Sequence, residues 1–169
     1  MPYLPTRLQI DPSVFIAPGA VVVGEVAIGA SSSIWYHATV RGDMAPVRIG
    51  RETNVQDGAV LHVYDAHPVE VGDRVIIGHQ AIVHGARVED EVLVGMGAIL
   101  LNGSFVGRGS LVAAGAVVRE GMRIPARSLV AGVPGRVVRA LEEAEVERII
   151  RNALEYVEYA RRYKQGELG

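Results

Sequence analysis

Residues 88–130 read VEDEVLVGMGAILLNGSFVGRGSLVAAGAVVREGMRIPARSLV, and in them Val88, Val94, Leu100, Val106, Val112, Val118, Ile124 and Val130 fall on every sixth position. A period of six fits neither the 3.6 residues of a helical turn nor the two-residue alternation of a strand. It fits a coil with three short flat sides, one inward aliphatic per side. Three sides take about 18 residues, and stacked coils pair as parallel strands roughly 4.8 Å apart. A β-sandwich would instead need turns about every 8–12 residues. The ladder extends upstream through Ile16, Val22, Ile28, Ile34 and Val40. It resumes after a three-residue insertion within RGDMAP (41–46) at Ile49, Val55 and Leu61, and after HVYDAHPVE (62–70) at Val71, Ile77 and Val83. Glycine follows several rungs (Gly29, Gly50, Gly72, Gly78, Gly95, Gly107) and is expected where the chain turns with φ > 0.

Composition agrees with a thin, repetitive core: 20 glycines and only two phenylalanines in 169 residues. The domain reading is a β-helix over 1–137 followed by a C-terminal helix and tail over 138–169, forming one structural domain. From about Leu141 to Lys164, Val146, Ile149, Ile150, Ala153, Leu154, Val157 and Ala160 recur at helical spacing. Acidic residues crowd the start of that segment and Arg161, Arg162 and Lys164 its end, matching the helix dipole. Its apolar stripe calls for packing outside the coils.

A formal charge of −2 and the lack of any Lys/Arg-rich run argue against nucleic-acid binding. No apolar run reaches the roughly 18 residues of a membrane span. The N-terminal residues lack the charged-then-apolar pattern of a signal peptide, so a cytoplasmic location is the expectation. With no cysteine, any transition-metal site must use histidine and carboxylate.

The ladder also places the histidines. His62 follows Leu61 and His84 follows Val83 on the same side of successive coils, so their rings stack one strand spacing apart, with Arg41 one coil below. His79 lies on the preceding side, with Asp57 and Tyr36 below it. The two sets diverge around a corner, so one ion can join all three only if a second copy presents its His79. Such a contact joins two different surfaces and closes as a ring, for triangular prisms a three-fold one. Three imidazoles leave a fourth position of a tetrahedral metal for water. His37 reads as a surface residue.

Arg41-Gly42-Asp43, Asn54-Val55-Gln56-Asp57-Gly58, His62, Gly78-His79-Gln80-Ala81-Ile82-Val83-His84-Gly85 and the later GVPGRVVR (132–139) make the chain similar to the γ-class carbonic anhydrase family, which includes ferripyochelin-binding-protein-like members. The resemblance spans essentially the whole chain. It implies a left-handed parallel β-helix and a homotrimer holding zinc, with iron or cobalt also suited to imidazole, on His62 and His84 of one subunit and a neighbour's His79. The implied reaction is attack of metal-bound hydroxide on CO2 to give bicarbonate. Gln56 matches the residue that hydrogen-bonds the hydroxide, Asn54 one lining the CO2 site, and Tyr159 or Tyr156 a helix tyrosine reaching it. Arg41, Asp43 and Asp57 match an interface ion-pair network. Two departures stand out. Met44 occupies a position where relatives carry glutamate, and the 63–70 loop is short, leaving His67, Glu70 or no residue of this chain as the proton shuttle. The same site could serve an acyl-CoA thioesterase or other hydrolase, an acyltransferase needs only one histidine, and a non-catalytic metal-binding assembly protein is the remaining alternative.

Overall fold

A computed structural model describes residues 6–168. The six-residue ladder becomes three stacked faces. The first aligns Val22, Val40, Leu61, Val83, Leu100 and Val118. The second aligns Ile28, Ile49, Val71, Val88, Val106 and Ile124. The third aligns Ile16, Ile34, Val55, Ile77, Val94, Val112 and Val130. All pairings between successive coils are parallel, so each inward side chain rests on its equivalent one coil away and the core is a column of aliphatics. Every rung of the ladder is buried except Ile16, which is 39% exposed, and Val22, which is half-buried; both lie in the first coil, beneath which the described residues place only the strand Arg7–Ile10.

The two insertions leave the stack intact. The strands Val21–Ile28 and Thr39–Ile49 run continuously through the corner between the first and second faces, and their register shifts where residues 43–46 bulge out. Gly24 (φ +86°) and Gly42 sit at that corner, where a Cβ would lie 2.2 Å from the Gly42 carbonyl oxygen and 2.4 Å from that of Glu25. The glycines that follow rungs owe their identity to a different cause from the one expected. Gly29, Gly50, Gly72, Gly78, Gly95 and Gly107 are absent from the positive-φ residues. A Cβ on any of them would instead lie within 3 Å of the adjacent coil.

The helix Glu143–Lys164 packs outside the third face, as its stripe requires. Ile76, Leu93, Leu111 and Leu129 point outward in register and meet Val146, Ile149 and Ala153. Nearer its C-terminus, Tyr156 and Tyr163 close on Trp35 at 5.5 and 5.3 Å between ring centroids. Leu154 departs from the expected stripe and is 43% exposed. An antiparallel strand, Arg136–Ala140, unforeseen in the sequence, folds back on Ser128–Ala131 before the helix begins.

A charge ladder fastens the corner between the second and third faces. Glu91 is only 7% exposed and accepts from Arg74 at 3.0 Å and from Arg108 twice at 2.9 Å, while Arg74 also reaches Glu52. Hydrogen bonds from Arg108, then from Arg74, hold the Glu91 carboxyl below its usual range despite its burial. A carboxylate with a depressed folded pKa contributes stability above its unfolded pKa, and that contribution is lost as pH falls through the folded value. Glu91→Gln should therefore lower stability at pH 7 by about 1–3 kcal/mol, and the gap from wild type should narrow in acid. Urea unfolding at pH 7 and pH 3 checks both.

Candidate metal centre

His62 and His84 lie in register on the first face, and their rings meet. His62 Nδ1 is 3.1 Å from His84 Nε2. The other nitrogen of each ring is already committed. His62 Nε2 lies 3.0 Å from Asp43 Oδ1. Burial pushes the Asp43 carboxyl up, but hydrogen bonds from His62 and Arg41 outweigh it and leave the group below its ordinary range. It is a carboxylate and can only accept, so Nε2 of His62 carries the hydrogen. His84 Nδ1 lies 2.7 Å from Asn102 Oδ1, and Asn102 turns its amide nitrogen toward Glu120. Nδ1 of His84 therefore carries the hydrogen. Burial, aided by Arg41 and His84 and opposed by Asp43, lowers the pKa of His62, so its ring is neutral at neutral pH. His62 Nδ1 and His84 Nε2, the nitrogens not facing Asp43 and Asn102, converge at 3.1 Å. Two imidazole ligands of one tetrahedral ion, each about 2.0–2.1 Å from it, sit about 3.3 Å apart. The donor set fits a metal.

His79 stands on the corner between the third and first faces, half-exposed, with Nδ1 2.9 Å from Asp57 Oδ2. Each of the three imidazoles thus has one nitrogen beside a carboxylate or amide oxygen, the usual arrangement of metal-binding histidines. Among the described residues no group of three His, Asp or Glu could hold an ion within one chain. Beside His62 and His84, the first face turns Val21, Thr39, Val60, Ile82, Ile99 and Val117 outward in one column, partly or wholly exposed.

The remaining expected residues divide between these regions. Arg41 pairs with Asp43 within the chain, one coil below His62. Gln56 and Asn54 lie on the third face, near His79. Gln56 Oε1 accepts from the His79 N–H at 3.2 Å, and Gln56 Nε2 donates to Asn54 Oδ1 at 3.1 Å. Asn54 Nδ2 is buried without a partner. Tyr156, rather than Tyr159, lines the same cavity as Gln56 and His79, while both tyrosines and Asp57 line the neighbouring one. Burial raises the Tyr156 phenol, keeping it a donor at neutral pH. Met44 packs against the core. His67 is exposed, with its ring at Gly103 on the corner occupied by His84, whereas Glu70 belongs to the second face and pairs with Arg87 at 3.6 Å.

Asn102 is the residue beside these histidines that the sequence did not single out. His84 equates by register with position 101, so Asn102 is offset by one from the histidine ladder and reaches His84 only through its side chain. Asn102→Leu should weaken metal affinity roughly 10–100-fold with the fold retained, as measured by competition with a chelator.

Comparison with known proteins adds four findings. A family model for the hexapeptide repeat of succinyl-transferases matches residues 68–102. The "Probable carbonic anhydrase" of Methanocaldococcus jannaschii is 52% identical over 149 residues, 88% of this chain and 94% of that protein. The mitochondrial gamma carbonic anhydrase 1 of Arabidopsis thaliana is 43% identical over 153 residues, 87% of this chain but 56% of the plant protein. Among solved structures, the Bacillus cereus BC4754 product, named for the acetyltransferases, superposes with a TM-score of 0.93 at 36% identity, covering 96% of each chain.

Proposed function

The chain belongs to the γ-class carbonic anhydrase family of hexapeptide-repeat proteins, and from that premise we propose that it hydrates CO2 to bicarbonate at a metal shared between copies of the chain in a homotrimer. The observation that carries this reading is the convergence of His62 Nδ1 and His84 Nε2 to 3.1 Å, close to the spacing of two imidazole ligands on one ion. In this proposal His62 and His84 of one copy and His79 of the next hold the ion, zinc being the first candidate. A divalent ion in that position makes water acidic enough to supply hydroxide near neutral pH.

The chain's own side chains do the rest. Asp43, Asn102 and Asp57 fix the tautomers and orientations of the three rings. Gln56 is clamped between the His79 N–H and Asn54, which holds its amide beside the histidine. Asn54 Nδ2 has no acceptor in the protein. A buried donor left unpaired costs about 1–3 kcal/mol, and an oxygen of CO2 or bicarbonate supplies the missing acceptor. Tyr156 adds a second neutral donor on the same side. The apolar column on the first face favours the shared site, because the surface that would cover it is the one that brings a second His79.

Stopped-flow CO2 hydration on zinc-, cobalt- and anaerobically iron-loaded protein tests the reading. Metal-dependent hydration abolished by chelator is the expected result. No hydration with any of the three metals bound at one per subunit refutes it.

A further inference from the structure

A groove of about 410 Å³ runs between the helix and the corner that carries His79. Gly78 and Gly95 form its floor on two successive coils, with Leu93 and Leu111 beside them, and His79, Met96 and the exposed Ala114 line its rim in one column over three coils. The rim therefore spans roughly 10 Å along the coil axis. At the same corner one and two coils lower stand Gln56 and Trp35, so the groove ends where Gln56, His79 and Tyr156 gather. Met96, 60% exposed, overhangs the middle. The two glycines are fixed by stacking, since a Cβ on Gly78 or Gly95 would come within 2.8 and 2.5 Å of the next coil's backbone. The shape is long, narrow and mostly apolar, with the metal-facing groups at one end. CO2 needs none of that length.

We propose that this groove seats the unbranched apolar chain of an acyl ester or thioester and delivers its carbonyl to the His79 end for hydrolysis. The proposal rests on the metal-site reading above and extends its substrate range from CO2 to acyl compounds. In the reaction, water's oxygen bonds to the acyl carbon and the C–O or C–S bond breaks. The departing alcohol or thiol keeps one proton of the water, and the carboxylate product releases the other. No further reactant is required.

The test uses the metal-loaded protein and p-nitrophenyl esters from acetate to octanoate, with acyl-CoA thioesters of the same chains in parallel. Burial of each methylene should raise kcat/KM about three- to fourfold until the chain passes Ala114, in one series or both. Ala114→Trp and Asn152→Trp, at lining positions on the rim and on the helix, fill the groove from its two sides without replacing a histidine. Each should return the octanoyl substrate to the rate of the acetyl one, with CO2 hydration changed by less than about twofold. On metal-free protein, octanoate should shift the 13C signal of the Met96 methyl. That shift together with absent CO2 hydration would leave the groove standing and remove the carbonic-anhydrase reading. Rates flat with chain length in both series, no shift at Met96, or dissociation of both tryptophan variants into monomers, which would make the groove a seat for a second copy, would each overturn the proposal.

Discussion

His84→Ala should yield a folded, unchanged oligomer that holds no stoichiometric metal and shows no CO2 hydration above background. His84 is half-exposed at the end of the short strand Ile82–His84 and points away from the aliphatic column, which Val83 occupies beside it. Truncating it removes none of the core, so the fold should survive with a change within about 0.5 kcal/mol, the usual range for surface substitutions. The loss at the site is far larger. His84 Nε2 is one of the two ring nitrogens that converge at 3.1 Å, and among the described residues no other histidine is paired with His62. Disturbing only an outer partner of a ligand costs about 10–100-fold in affinity, so deleting the ligand must exceed the Asn102→Leu effect. Metal analysis by mass spectrometry after gel filtration, with circular dichroism as the folding control, reads both halves of the expectation. An alanine variant that keeps one metal per subunit would show that the ion is bound elsewhere.

The contrast between His84 and Asn102 also shows which features can be read from the chain. The ladder of inward aliphatics is a strict ruler, because a parallel coil allows each side only one inward position. It therefore located His62 over Arg41, beside His84, and His79 over Asp57. Side chains that reach across coils escape the ruler. Asn102 touches His84 from a position one residue out of step, and Asp43 reaches His62 because an insertion bulges the corner. The glycines after rungs were legible as a pattern but not as a cause, since sequence cannot distinguish a left-handed turn from a backbone pressed against the next coil. Helical periodicity found the C-terminal helix but could not tell Leu154, on its exposed side, from Ala153, which is fully buried. Nor could it show that Tyr156 rather than Tyr159 faces the cavity with His79.

Ile82→Asp should abolish metal binding without altering any ligand. Ile82 stands in the middle of the outward column of the first face, between Val60 and Ile99 and two residues before His84. Its side chain points away from the core, so an aspartate there remains hydrated in an isolated chain and leaves Val83 and the coil undisturbed. In the proposed trimer the same carboxylate would be desolvated against a second copy. That costs several kcal/mol per ion, and a three-fold ring repeats the cost at every interface. Sedimentation at micromolar concentration should therefore show monomers of normal secondary structure. Those monomers keep His62 and His84 but have lost the neighbour's His79, and two imidazoles in place of three should not retain stoichiometric metal. The pairing of outcomes makes the experiment decisive. A monomer that still binds one metal per chain would break the link between assembly and site, and a trimer that tolerates the aspartate would place the subunit contact on another face.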